Sequence, residues 1–173
     1  FSGQYEQAQV LLEEEGNFHN VGRIHLALGH LDKAAEAFRR TPQITSAHGE
    51  MCGVCEWLSG NFAEALRYWK DAQKSPAQDA AGGVTPAALC YYAAVRLSST
   101  DEQKLALKAL RKVWKPGKTG WPSPIAGFLL EKFPEHEFTW QEFNLPSSLE
   151  ERWGTQLNFW KGVKCIENQE LQK

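Results

Sequence analysis

The sequence predicts an all-α fold, and three observations predict it. Apolar residues recur at helical spacing, as Leu31, Ala34, Ala35 and Phe38 and again as Phe62, Ala65, Leu66 and Trp69. No alternating, strand-like pattern of useful length occurs. The helical pattern is also written twice: Gly22 and Gly53, Gly29 and Gly60, and Ala34 and Ala65 each stand 31 residues apart, and Phe38 and Trp69 keep the same step. A period of this size marks a stacked supersecondary unit. Each unit is therefore expected to be two helices and a turn, and the array a helical-hairpin solenoid.

Composition agrees with a packed chain. It has 173 residues, of which 42% are hydrophobic, with seven Trp and nine Phe, enough for a real core and against disorder. A net charge of −2 gives no reason to expect nucleic acid or a membrane surface as partner. No apolar run approaches 18 residues, so no membrane span is expected. The opening FSGQYEQAQV has neither a cationic start nor an apolar stretch and is no signal peptide. The single Met is Met51, and the expectation is a chain processed or cut from a longer product. Four Cys, at 52, 55, 90 and 165, are too few for a disulfide scaffold and point to a reduced compartment, with the cytoplasm favoured.

Within each unit the residues have separate jobs. Gly22 and Gly53 lie on the first helix and Ala34 and Ala65 on the second, where small residues let two axes approach to about 8–10 Å. Gly inside a helix costs roughly 1 kcal/mol against Ala, so closer packing has to offset it. Gly29 and Gly60 end the first helix, where a left-handed residue is needed. Phe38 and Trp69 are expected to fill the gap to the neighbouring pair. Pro42 and Pro76 sit near the closing turns as helix stops.

The order Gly, Gly, Ala, aromatic at offsets 0, 7, 12 and 16, carried by GRIHLALGHLDKAAEAF (22–38) and GVCEWLSGNFAEALRYW (53–69), resembles the tetratricopeptide repeat (TPR). A weaker third copy spans 90–114, with Ala94 and Ala106 in the small positions, Leu110 in the aromatic one and Asp101 in place of the turn Gly. An opening half copy, GQYEQAQVLL (3–12), places Gly3 and Ala8 in the turn and crossing positions. The period is three short of the family's usual 34. The resemblance implies a half copy over 1–15 and copies over about 16–45, 46–76 and 86–115.

The remaining third supplies additional C-terminal helices, expected over 116–173 and packing on the array. DAQKSPAQDAAGGVTP (71–86) reads as a linker, with Thr85 as N-cap and Pro86 as first helical residue. After a second break at 115–124, IAGFLLEKF (125–133) predicts a short helix, followed by the aromatic and acidic loop 134–146. The last helix opens at Ser148 and Glu151, a capping-box spacing, and carries Leu149, Trp153, Leu157 and Trp160 on one face. Gly162 is a further candidate for the first-helix small position. WPSPIAGFLLEK followed by NFWKGVKCIENQEL looks like the tail of some bacterial members of the family.

Local motifs for chemistry are weak. MCGVC (51–55) holds a CxxC, the basis of a metal or redox reading through Cys52 and Cys55, but no second pair at ligand spacing accompanies it. PGKTG (116–120) resembles the end of a phosphate loop, yet Lys112 stands where that motif requires Gly. The five His show no HExxH, and no GxSxG occurs. No cofactor and no enzymatic activity are expected. A basic stripe, Lys104, Lys108, Arg111, Lys112, Lys115 and Lys118, gives 101–124 six basic residues against two acidic, while 125–173 has five against eight; a solvated outer face accounts for it.

The TPR resemblance implies a binding surface. In that family the first helices form a concave wall, whose exposed positions lie three before, one after and four after the small Gly. This implies a wall of His19, Arg23 and Leu26, then Glu50, Val54 and Trp57, then Tyr91, Val95 and Ser98, with the groove formed by all of these but Ser98. Aromatic anchors with one guanidinium and one carboxylate suit a helix or an extended peptide. The expected function is a non-enzymatic scaffold or adaptor that binds a protein or peptide, with an immunity-like or secretion-chaperone protein serving one dedicated partner as the variant. A further alternative folds 125–173 back into the groove.

Overall fold

A computed structural model describes residues 2–41, 45–75, 78–79, 82–117, 120–139, 141–143, 148 and 150–170. Every described element is helical: α1 Ser2–Glu14, α2 Phe18–Ala27, α3 Leu31–Arg39, α4 Ser46–Leu58, α5 Phe62–Ala72, α6 Val84–Arg96, α7 Thr100–Val113, α8 Ser123–Leu129 and α9 Glu150–Glu170, with a 3₁₀ turn at Glu135–Glu137. None is long and apolar enough to cross a membrane. Pro42, Pro76, Lys118 and Leu149, all used in the sequence reading, lie outside the described residues. The contacts divide the chain into two compact units, Phe1–Ala77 and Gln78–Lys173. The division falls inside the linker at 71–86 and groups the third pair with the C-terminal helices.

In the N-terminal unit α2 pairs with α3, α4 pairs with α5, and α3 packs on α4. The small residues act as notches. A Cβ added to Gly22 would lie 2.6 Å from Phe38 Cε1, and one added to Gly53 would lie 2.6 Å from Trp69 Cδ1. The aromatics therefore seat first in the glycine of their own hairpin, not simply in the gap between hairpins. Phe38 does both, since with Ala34 it also packs against Cys52 and Cys55 of α4. Ala34 and Ala65 are fully buried, as a close crossing requires.

One turn closes every hairpin. Gly29 (φ +76°) and Gly60 (φ +84°) are left-handed; the next amide bonds five residues back, His30 to the His25 carbonyl at 2.9 Å and Asn61 to that of Glu56 at 2.8 Å, the Schellman arrangement. The same bonds end α1 at Gly16, α6 at Ser98 and α8 at Glu131.

Ser98, not Asp101, thus holds the turn of the third pair. Its α7 starts one helical turn early, while Ala106 and Leu110 stay buried. The start of α6 is also capped from outside the helix. Asp79, not Thr85, supplies the acceptor: its Oδ1 and Oδ2 take the Gly83 and Thr85 amides at 2.8 and 2.7 Å. This satisfies donors that every helix start leaves open.

In the C-terminal unit α8 is shorter than the sequence suggested, because Glu131 turns left-handed and ends it. The following loop closes on itself through aromatic rings. Phe128 and Phe138 stack at 4.2 Å, and Phe143 lies 5.5 Å from Phe133. On α9, Trp153, Leu157, Trp160 and Val163 are buried. Gly162 makes no notch, since an added Cβ there meets nothing within 4 Å.

Candidate functional site

On α2, His19, Arg23 and Leu26 share one face at i, i+4 and i+7; on α4, Glu50, Val54 and Trp57 do the same. Asn17 caps the start of α2 by accepting the Asn20 amide, and Thr45 caps α4 through the His48 amide at 3.2 Å. The two rows are not equally open. Arg23 is exposed, and His19, Leu26, Val54 and Trp57 are half-buried. Glu50 is buried at 7% exposure, and its backbone carbonyl accepts the Trp69 Nε1 hydrogen at 3.1 Å.

Three of the open residues touch the buried layer: His19, Leu26 and Trp57. The His19 ring lies 5.7 Å from that of Phe38. Leu26 packs on the cluster of Ala34, Phe38, Cys52 and Cys55. Trp57 lies 4.7 Å from the exposed Phe62 and 5.7 Å from the buried Trp69, so its indole is flanked by two aromatic rings. Arg23 Nη1 donates to Asn20 Oδ1 at 3.4 Å. Burial, then Arg23 and His48, holds the His19 pKa below its ordinary value, so this ring is uncharged at neutral pH.

The CxxC lies in the packed layer. Cys52 and Cys55 are buried and unpaired by any disulfide. Cys52 Sγ is 3.6 Å from His48 Nε2. Burial pushes both thiols up to about 11, helped by the Glu56 carboxylate and only partly opposed by Arg39. Burial also lowers the His48 pKa, so this contact joins a neutral imidazole to a protonated thiol. Among the described residues, no group of three or more His, Cys, Asp or Glu is placed to hold a metal ion.

Tyr91 and Val95, on α6, are buried at 0% and 4% exposure. Tyr91 belongs to a polar cluster that spacing along the sequence did not suggest. Gln103 Nε2 donates to Glu167 Oε1, Lys164 Nζ pairs with Glu167 Oε2 at 2.5 Å, and Lys164 Nζ donates to Glu131 Oε1 at 2.7 Å. Burial, then a hydrogen bond to Glu167, raises the Tyr91 pKa and keeps its proton on. One signal in the sequence marks this cluster. Lys164 and Glu167 continue the stripe of Trp153, Leu157 and Trp160, at four and seven residues past Trp160, placing charges on an otherwise apolar face.

No protein-family model, no curated protein and no solved structure matches the chain.

Proposed function

We propose that the protein is a non-enzymatic binding module, a scaffold of tetratricopeptide type whose paired helices form a solenoid and hold a protein or peptide. The occupant is a helix or an extended segment lying across the first helices of the two N-terminal hairpins, α2 and α4. The observation that carries this reading is the half-open row His19, Arg23, Leu26, Val54 and Trp57, set on two hairpins built to the same pattern. Trp57 is the anchor: a large ring, flanked by Phe62 and Trp69 and partly open, yields much contact area for little lost freedom. Arg23 is the charged register group, and Glu50 acts from beneath by fixing Trp69.

The thiol pair gives weaker support to a metal or redox function, since its sulfurs are protonated near neutral pH and the thiolate is the ligand and the nucleophile.

A displayed library of random 12-residue peptides, panned on the intact chain, tests the proposal. Recovered peptides are expected to bind with a shift in Trp fluorescence. They should lose at least about tenfold in affinity on Trp57→Ala, as interface anchors do, and less on Arg23→Ala, with melting unchanged. Peptides that bind both variants as tightly as the parent would place the site elsewhere.

A further inference from the structure

Two carboxylates hold Lys164 of α9, and they are not equivalent. The side chain of Glu167 is 13% exposed and is also bonded by Gln103. Glu131 is 73% exposed and hangs from the turn after α8. Lys164 itself is only 12% exposed. Of its two partners, Glu131 is the one that can leave.

The backbone of Glu131 makes the same point independently. It is left-handed, φ +55°, a conformation that a Cβ disfavours. Gly16, Gly29 and Gly60 hold this place in three of the equivalent turns and Ser98 in another. Glutamate at this place costs backbone strain that glycine would avoid, and such outliers often mark functional positions. What that side chain does is sit on Lys164.

Glu131 and Lys164 are also common to the walls of two clefts. One, of about 130 Å³, reaches Tyr91 and Arg111. The other, of about 490 Å³, is lined by Phe128, Phe133, Pro134 and Lys132 beside the ion pair. Its volume falls within the range of about 300–1,000 Å³ usual for small-molecule sites, which combine apolar walls with a few placed polar groups. The aromatic wall is fixed in advance. Phe128 stacks on Phe138, and Phe133 closes over Gly127, where an added Cβ would lie 2.6 Å from its ring. Burial opposes the charge on Lys164, but the hydrogen bonds it donates to Glu131 and Glu167 outweigh it and raise its pKa. Lys164 therefore stays charged at the cleft wall, with Glu131 and Glu167 as its counter-ions.

We infer that the larger cleft is a binding site for a small carboxylate with an apolar body, and that Glu131 is its built-in occupant. The ligand carboxylate takes the place of the Glu131 carboxylate on Lys164, and the body lies along Phe128, Phe133 and Pro134. Glu131 then swings into solvent, where most of it already is. Lys132 adds a second positive charge, and Glu135 sets a negative edge that disfavours dianions. This site is independent of the peptide face on α2 and α4. A free acid and the C-terminal carboxylate of a peptide offer the same chemistry.

Calorimetric titration of the intact chain tests the site with 4-phenylbutyrate, with 4-phenylbutylamine, and with acetyl-Ala-Ala-Phe as free acid and as amide. Saturable one-to-one binding of the acids is expected, with none for the amine or the amide. Glu131→Gly removes the internal competitor while easing the backbone. It should tighten the acids by about tenfold, the gain expected when a binding-competent state stops being a minor population. Lys164→Met should weaken them by at least as much. If Lys164→Met fails to fold, the comparison of Glu131→Gly with the parent still decides. The tighter of the two acids identifies the source, a free metabolite or a peptide end. Equal affinity in the parent and Glu131→Gly, amine binding as tight as acid binding, or no acid binding to Glu131→Gly would each overturn the inference.

Discussion

The indole of Trp69 occupies the space that Gly53 leaves by having no side chain. An added Cβ would lie 2.6 Å from Trp69 Cδ1, and the ring cannot easily retreat. Its Nε1 donates to the Glu50 carbonyl at 3.1 Å and its face lies against Trp57. Gly53→Ala should therefore destabilise the chain despite the better helix propensity of alanine. Overpacking of roughly 1–3 kcal/mol is set against a gain of about 1 kcal/mol. Trp69→Phe, which loses the hydrogen bond, should cost about 1 kcal/mol or more. Because the smaller ring makes room for the new methyl, the double variant should lose less than the sum. Urea melts of the four proteins measure this coupling; simple additivity would mean that the two residues do not share one space.

Gly60 carries a different constraint, and its substitution separates the two roles of glycine. Nothing lies within 4 Å of a Cβ built there, but φ is +84°. Gly60→Ala should cost about 1 kcal/mol through backbone strain alone. Gly60→Asn should cost less, because asparagine tolerates the left-handed region. The two melts distinguish strain from crowding; an equal loss in both variants would point to crowding.

These glycines explain how far the sequence could be read. The first two hairpins were legible because each uses a glycine notch, a glycine turn, a small crossing residue and an aromatic at fixed offsets, and each residue has one physical cause. The third pair was misread at its turn because Ser98 takes a left-handed position without being glycine, so a fixed offset from Ala94 fell on Asp101 instead. Asp79 was overlooked as a cap because it lies outside the helix it serves. The cluster of Glu131, Lys164, Glu167 and Gln103 joins residues 33 and 64 positions apart, and no local spacing encodes such a pairing. The groove residues read from offsets alone also mixed open positions with buried ones. Tyr91 fell among the latter because the bulk of its ring, where the other hairpins have glycine, is turned into the core.

Three histidines make the stability of the chain depend on pH. Burial is the first cause lowering the pKa of His19, His25 and His48 below 6.5. Arg23 and His48 add to it at His19; at His25, Lys33 and His30 add to it and Glu13 opposes. Between the lowered folded values and about 6.5 the unfolded chain binds more protons than the folded one, so stability rises with pH across that window. As pH falls through 6.5, stability is lost, and the loss levels off below the folded values. Urea midpoints taken from pH 7.5 to 5.5 should fall steadily. His25→Phe, which places at 25 the residue type found nine positions after the turn glycine in α3, should flatten the slope. A midpoint independent of pH over this range would show that the three rings titrate as they do in the unfolded chain.

The thiols should divide by burial. Cys52 and Cys55 are pushed up to about 11, so at pH 8 roughly one in a thousand is thiolate, and neither sulfur is open to a reagent. Cys90 is also buried, whereas Cys165 is exposed on α9. Ellman's reagent at pH 8 should therefore report one fast thiol in the native protein and four in urea, and Cys165→Ser should remove the fast one. The peptide-binding proposal needs Cys52 to stay inert, because it packs beneath Leu26 in the same cluster as Phe38. Rapid labelling of Cys52 or Cys55 in the folded chain would mean that this layer opens to solvent, and would return the CxxC to consideration as a reactive pair.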